Sequence, residues 1–175
     1  MDIRVEKTRR SIYNAFIEIR SRKDLEKITV KELCEKAQIN KSTFYVYYED
    51  IYDLSDKIEN EIVTSVIRDL GLSEDIITDS EKFAVMLCMA YSAQQNLIST
   101  VFSGIRTEQL PKKIEAAVKA AFFEAFPQYK DDVSVNIKLT YCIYGGYYAF
   151  NQYRNYGDGN TVNVIGSLSA KIFGK

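Results

Sequence analysis

The chain has 175 residues, of which 46% are hydrophobic and 27% are charged, a composition typical of a soluble globular protein with one domain or two small ones. Its 23 Lys and Arg against 24 Asp and Glu leave a formal charge of −1, so any surface that binds nucleic acid must be local. The sequence contains no histidine, which excludes Ser/His/Asp triads, Cys/His dyads and the commonest metal ligand. We therefore expect no enzyme, no metal site and no cofactor.

The three cysteines, Cys34, Cys88 and Cys142, are far apart and lie among apolar residues. Their odd number and their neighbours favour reduced, buried thiols over disulfides or metal ligands. The amino end has no apolar signal core, and no apolar run approaches the ~18 residues that a membrane helix needs. The sequence thus predicts a cytoplasmic protein that does not contact a membrane.

The spacing of apolar residues predicts an all-α fold, because these residues recur at intervals of three and four, and only two prolines and eight glycines interrupt the chain. A first helix is expected over 3–19. A short helix over 30–37 should begin at a capping box, in which the Thr29 hydroxyl accepts from the backbone and Glu32 reaches back. The remaining helices are expected at 41–48, 51–70, 80–102, 107–126, 131–156 and 161–173, separated in the later part by a polar loop at 73–80 and by Gly104, Pro127 and Gly157-Asp158-Gly159.

The helices at 30–37 and 41–48 are joined by a three-residue turn, Gln38-Ile39-Asn40, whose Asn40 suits the N-cap of the second. In that second helix Phe44 and Tyr48 are four residues apart and can both face inward. The residues left on the outside are Lys41, Ser42, Thr43, Tyr45, Val46 and Tyr47. Two short helices of this kind, with hydroxyls and a lysine on the exposed side of the second, are typical of a helix-turn-helix that places one helix in the major groove.

Each outward residue type has a chemical role on DNA. Thr43, Tyr45 and Tyr47 would donate to phosphate oxygens, which fixes register without reading sequence. Lys41, and Lys31 on the preceding helix, would reach guanine acceptors, and Val46 would touch a thymine methyl. The alternative is a bundle that binds no DNA, with the tyrosines in its core. However, three adjacent aromatics cannot all face one side of a helix.

The stretch from Arg9 to Leu54 resembles the DNA-binding domain of the tetracycline-repressor-like (TetR) transcriptional regulators. The residues that carry the resemblance are Thr29-Val30-Lys31-Glu32-Leu33-Cys34-Glu35-Lys36-Ala37 and Lys41-Ser42-Thr43-Phe44-Tyr45-Val46-Tyr47-Tyr48. The resemblance implies an N-terminal three-helix DNA-binding domain over 1–50 and a helical-bundle domain over 51–175, which binds an effector and forms a homodimer. In the second domain, 51–70 would be the connecting helix. Transferred position by position, the resemblance places Lys31, Lys41, Ser42, Thr43, Tyr45, Val46 and Tyr47 on the operator.

Two positions depart from the family pattern. Gln38 occupies the turn where a glycine is usual, and Glu49-Asp50-Ile51 occupies a place where basic residues usually contact phosphate. Residues 1–50 hold eleven Lys and Arg against nine Asp and Glu, a net charge of +2. The departure predicts either weak DNA binding or binding that relies on Arg4, Lys7, Arg9 and Arg10.

Residues 51–175 carry a net charge of −3, and twelve of the 22 aromatic residues lie between Phe122 and Phe173. Gly145-Gly146 lies inside a predicted helix, where each glycine costs about 1 kcal/mol relative to alanine. Close packing of a second copy would offset that cost, and we predict a dimer contact at Gly145, Gly146 and Phe150. A kink or a gap facing a ligand is the alternative.

The helices of the second domain could enclose an apolar cavity for a small-molecule effector, with tyrosine hydroxyls to orient the ligand. Its predicted lining is Met86, Met89, Phe102, Phe122, Phe126, Tyr144 and Tyr148. For each of these residues plain core packing is the alternative. No charged cluster indicates a ligand class.

The sequence as a whole predicts a ligand-responsive, dimeric transcriptional regulator, a repressor by family habit, that binds a palindromic double-stranded DNA operator. The alternative is a co-regulator on the same scaffold that has lost operator binding and acts through protein contacts.

Overall fold

The computed structural model describes residues 3–70, 79–155 and 160–174. Within these ranges the chain forms nine α-helices and no strand, which confirms the predicted all-α fold. The helices are α1 (Ile3–Arg20), α2 (Val30–Ala37), α3 (Lys41–Tyr47), α4 (Ile51–Asp69), α5 (Ser80–Ala93), α6 (Gln95–Val101), α7 (Gln109–Ala125), α8 (Val133–Tyr153) and α9 (Asn160–Phe173). No helix in the described part of the chain is long and apolar enough to cross a membrane.

The helix predicted over 80–102 is wrong in one respect, because the structure breaks it into α5 and α6 at Gln94. The backbone of Gln94 leaves the helical region, with φ −102° and ψ 9°. Just before the break, the Ser92 hydroxyl donates to the Cys88 carbonyl at 3.0 Å, a bond that competes with the helix ladder and bends it. Most of the predicted polar loop (residues 73–78) and the glycine pair at 157 and 159 lie outside the described residues.

The chain divides into two compact units that do not follow a single cut along the sequence. The first unit comprises Met1–Glu61 and Asn96–Glu108, and the second comprises Ile62–Gln95 and Gln109–Lys175. The division falls inside α4 rather than at residue 50, and a segment from the later half of the chain belongs to the first unit.

The core of the first unit is built from one apolar stripe on each of its helices. The fully buried members are Ile12 and Phe16 of α1, Leu33 of α2, Phe44 of α3, Leu54 of α4 and Val101 of α6. In addition, the Ser11 hydroxyl of α1 donates to the Ala37 carbonyl at the end of α2, at 2.7 Å. The helix pair α2–α3 is thereby held against α1.

A buried charge cluster joins the segment Asn96–Glu108 to α4 in the first unit. Glu59 is fully buried, and its carboxylate accepts from the Arg106 Nε at 2.7 Å and from the Ser55 hydroxyl at 2.8 Å. Arg106 also donates to Asp56 at 3.0 Å. The hydrogen bond to Glu59 raises the pKa of Arg106 despite its partial burial. Two charges buried together in this way depend on each other, because either one alone is costly to desolvate.

The turn between α2 and α3 places a side chain where glycine is usual. Gln38 has a left-handed backbone, with φ 56° and ψ 45°. Around it, the Ile39 N–H donates to the Cys34 carbonyl at 3.0 Å and the Gln38 N–H donates to the Glu35 carbonyl at 3.3 Å, the two bonds of a Schellman motif. The departure noted in the sequence is thus a strained residue in an otherwise normal turn.

The core of the second unit contains Cys88 of α5, Phe150 of α8 and Ile165 of α9. A Cβ on Gly166 would lie 2.9 Å from the Val85 side chain, so α5 and α9 approach closely because this residue has none. Burial raises the pKa of the Cys88 thiol to about 11. The three cysteines are free as predicted, but Cys142 is only partly buried.

Removing the Arg106 guanidinium should destabilise the first unit. Arg106→Met removes the guanidinium that donates to the buried Glu59 carboxylate, and we expect the free energy of unfolding to fall by roughly 3 kcal/mol. The measurement is urea unfolding followed by far-UV circular dichroism. Combining Arg106→Met with Glu59→Leu removes both charges and should recover most of the loss. Equal stability of the single variant and the wild type would contradict the prediction.

Relieving the strain at Gln38 should stabilise the protein. Gln38→Gly removes the left-handed strain at the cost of some chain entropy, and we expect a net gain of roughly 0.5–1 kcal/mol in the same urea titration. Glu35→Gly, which introduces glycine in the right-handed interior of α2, is the control and should lower stability by about 1 kcal/mol. A loss of stability in Gln38→Gly would show that the turn is not strained.

Candidate DNA-binding site

The helix α2 begins at a side-chain cap. The Thr29 hydroxyl accepts from the Glu32 N–H at 3.2 Å, which confirms half of the predicted capping box. The other half is wrong, because the Glu32 carboxylate accepts from the Lys23 ammonium at 2.7 Å instead of reaching back to Thr29. The cation is the stronger partner for a carboxylate, and it ties α2 to the turn that follows α1.

The orientation of α3 is fixed by two aromatic side chains. Phe44 is fully buried and Tyr48 is 7% exposed, and their ring centroids lie 5.6 Å apart. This confirms that both face inward. The helix ends one residue earlier than predicted, since Tyr48 has an extended backbone. Asn40 occupies the N-cap position, but its side chain makes none of the expected capping hydrogen bonds.

With Phe44 inside, the opposite side of α3 lies at the surface. Tyr45 is 57% exposed and Val46 is 74% exposed, and Lys41 and Ser42 are exposed beside them. Thr43 and Tyr47 are partly buried at the edges of this surface. The structure therefore brings together four of the seven residues predicted to face DNA and leaves two at the margin.

The seventh, Lys31, is exposed in the first turn of α2, with its ammonium 3.9 Å from the Glu35 carboxylate. Such a solvent-exposed pair is weak and leaves the lysine able to exchange partners.

The acidic residues after α3 act in capping the next helix. The Asp50 carboxylate accepts from the Asp53 N–H at 2.8 Å, and the Asp53 carboxylate accepts from the Glu49 N–H at 3.0 Å. Carboxylates at a helix N-terminus satisfy its free N–H groups and its dipole. The departure from the family pattern at this junction therefore has a local structural reason, and α3 itself carries a single cation, Lys41.

Sequence reasoning missed Lys57. Its ammonium donates to the Tyr47 carbonyl at 3.1 Å and to the Asp53 carboxylate at 2.8 Å. The hydrogen bond from Lys57 is the main cause that lowers the pKa of Asp53. The i,i+4 spacing of Asp53 and Lys57 was a signal for their ion pair. No sequence signal indicates the bond to Tyr47, because it crosses the turn between two helices.

The seven residues predicted to line an effector cavity do not share one environment. Phe102 is buried in the first unit, whereas the other six belong to the second. In the second unit, Phe122 and Phe126 have ring centroids 5.5 Å apart on α7. Met86 and Tyr144 are partly buried. Met89 and Tyr148 are 63% and 57% exposed, so these two residues face outward from the single chain.

The three residues predicted for the dimer contact also lie in different environments. Phe150 is only 6% exposed and lies in the core of its own chain, with its ring 5.7 Å from that of Tyr91. Its assignment to the interface is corrected for this reason. Gly146 packs against Ile165 of α9, since a Cβ there would lie 3.4 Å from that side chain. Gly145 is exposed, with open space around it.

An apolar stripe runs along α8 on the side opposite its buried residues. Its members Val133, Ile137, Tyr141 and Tyr148 are 57–70% exposed, and Gly145 lies among them. On α9, Val164 and Leu168 are 49% and 53% exposed. We call these residues of α8 and α9 the apolar face. Exposed apolar side chains at helical spacing on two helices are typical of a surface that another protein covers.

Among the residues that the structure describes, no group of three or more His, Cys, Asp and Glu is arranged to hold a metal ion.

No protein-family model matches the chain, and no curated protein matches it. Among solved structures, the chain is similar to a Clostridium perfringens protein whose printed description is "putative fatty acid metabolism regulator". The two are 18% identical, with a TM-score of 0.49, and the similarity covers 93% of this chain and 96% of the other.

Proposed function

We propose that this chain is a DNA-binding transcriptional regulator that acts as a homodimer under the control of a small molecule. The observation that carries the proposal is the exposed side of α3, where Lys41, Ser42, Tyr45 and Val46 lie together while Phe44 holds the helix in place from behind. A short helix supported by a second one and presenting donors and one cation has the form of a major-groove reader.

The side chains of α3 would make two kinds of contact with DNA: contacts to phosphate, which position the helix, and contacts to bases, which read the sequence. The hydroxyls of Ser42, Thr43, Tyr45 and Tyr47 suit phosphate oxygens and fix the register. Lys41 suits the O6 and N7 acceptors of guanine, and Val46 suits a thymine methyl. Because α3 has a single cation, further phosphate contacts would come from the exposed Lys7, Arg9 and Arg10 of α1, and from Arg4.

The apolar face supports a homodimer. A two-fold axis beside α8 and α9 would place the same stripe of each copy against the other, and Gly145 would let the two α8 helices approach closely. The two copies of α3 would then read half-sites about 34–36 Å apart, or a multiple of that spacing, on a palindromic operator.

Control by a small molecule would come from the second unit. The second unit offers partly buried Met86 and Tyr144 and the paired rings of Phe122 and Phe126, which suit an apolar ligand with few polar groups. A typical coupling of ~1–3 kcal/mol between effector and operator would change DNA affinity about 5- to 150-fold. Regulators of the family that the sequence resembles are most often repressors, so we propose that the effector releases this protein from its operator.

Selection from random duplexes by the purified protein tests DNA binding and should enrich a palindrome. On the enriched duplex, Lys41→Ala should lose about 1–3 kcal/mol of binding free energy and relax preference at one base position. Thr43→Ala combined with Tyr45→Phe removes two phosphate donors and should weaken binding to all sequences alike. Affinities are measured by fluorescence anisotropy at fixed salt.

Lys112→Ala serves as the control, because Lys112 is an exposed lysine of α7 in the second unit, and its affinity should match that of the wild type. If selection enriches no sequence, the proposed function is replaced by the alternative, a co-regulator that has lost operator binding and acts through protein contacts. If Lys41→Ala and the hydroxyl variant both bind as the wild type does, the assigned side of α3 is wrong.

Placing a charge on the apolar face should separate the dimer. Tyr141, which is 67% exposed, lies in the middle of the stripe, and Tyr141→Glu should weaken self-association at least about thirtyfold, the loss expected for a central aromatic. Analytical ultracentrifugation measures the dissociation constant. Gln128→Glu adds the same charge at an exposed residue off the apolar face and should leave association unchanged. A wild-type protein that stays monomeric at high concentration would contradict the proposed dimer.

A further inference from the structure

The carboxyl end of α3 needs support from outside the helix. The helix has seven residues, and its last carbonyls have no partner within it. Tyr48 then turns into an extended backbone, and only Tyr48, Glu49 and Asp50 separate α3 from α4. A helix this short has little stability of its own. A contact that holds its last turn therefore acts together with Phe44 and Tyr48 in fixing the direction of Tyr45 and Val46.

Lys57 provides that support from α4. Its ammonium donates to the Tyr47 carbonyl at 3.1 Å and lies 5.3 Å from the centre of the Tyr48 ring. A cation on a terminal carbonyl complements the negative end of the helix dipole, and a cation above an aromatic face is attracted by the ring. One side chain thus contacts the last helical residue and the residue that ends the helix.

Asp53 holds Lys57 in this position. Its carboxylate accepts from Lys57 at 2.8 Å and from the Glu49 N–H at 3.0 Å. Through this carboxylate the ammonium is linked to the turn, so the Asp53–Lys57 pair of α4 is bonded to the chain on both sides of Tyr48. The ammonium, which has three hydrogens, already serves a carbonyl and a carboxylate.

We propose that Lys57 is a positioning residue for DNA recognition, which fixes the last turn of α3 on α4 and does not itself bind phosphate. The inference rests on the proposed function and adds a residue to it. It assigns to Lys57 an effect on the choice of sequence, because the last turn of α3 carries Val46, the residue proposed to contact a thymine methyl.

Amide hydrogen exchange followed by NMR tests the support without DNA. The Tyr48 N–H donates to the Phe44 carbonyl at 3.0 Å, and Lys57→Met should speed its exchange about 3- to 10-fold, as expected for loss of one hydrogen bond. Lys57→Arg retains a donor and should restore most of the protection. Amides of α2 should not change, and Lys112→Met is the matched control. Unchanged exchange at Tyr48 in Lys57→Met would overturn the proposal.

Measurements of DNA binding distinguish a positioning role of Lys57 from direct contact of Lys57 with phosphate. The probes are the duplex enriched by selection and a random duplex of equal length. Lys57→Met should lower the preference for the enriched duplex about 3- to 10-fold, with no change in the slope of log K against log salt. A lysine that binds phosphate would instead reduce the slope by about one and weaken both duplexes equally, and that result would overturn the proposal.

The two experiments fail in distinguishable ways. If the wild type binds no duplex, the proposed function fails, and the role of Lys57 in sequence choice fails with it. The exchange measurement then still decides whether Lys57 fixes α3. If the wild type selects a palindrome and Lys57→Met behaves as wild type in both measurements, only the inference on Lys57 fails.

Discussion

The burial of Phe44 and Tyr48 is the constraint on which the functional interpretation depends. In a helix of 3.6 residues per turn, a buried residue at one position determines which neighbours reach the surface. Once Phe44 is in the core of the first unit, Ser42, Tyr45 and Val46 must lie outside. Burial of these two aromatic rings is favourable, and it determines that the polar side of α3 faces outward. The same device appears in α8, where Leu139, Ile143 and Phe150 are buried and the apolar stripe lies on the other side.

Sequence periodicity was sufficient to predict the structural features that depend on residues close together along the chain. It predicted the all-α fold, the inward pair of α3 and the hydroxyl cap of Thr29, because each rests on spacings of three or four residues. It could not predict the bond between Arg106 and Glu59, which are 47 residues apart, or that between Lys57 and Tyr47. Phe150 was misassigned for the same reason, since helical spacing shows that a side chain shares a face but not which element covers it. Gly166 was missed because the approach of α5 to α9 has no local signature.

The first unit breaks local rules at the two ends of α3. At its start, Gln38 adopts a left-handed backbone, and at its end, acidic residues stand where phosphate-binding cations are typical of the resembling family. In both places the structure shows a geometric use for the residue present: Gln38 closes α2, and Asp50 and Asp53 begin α4. An operator-binding surface of this composition would rely on hydroxyl donors more than on charge. Its affinity would therefore depend less steeply on salt than that of a more basic protein.

The first unit is built from two separate segments of the chain, and this limits how the protein can be truncated. A fragment that ends near Glu61 would lack Ser103, whose carbonyl accepts from Arg20 at 2.8 Å, and Arg106, which neutralises Glu59. Such a truncation would remove the guanidinium that donates to the buried Glu59 carboxylate. The part of the first unit that ends at Glu61 is therefore not a module that can be cut out and grafted onto another protein. Shuffling of this gene segment would yield folded chimaeras only if the segment Asn96–Glu108 travelled with it.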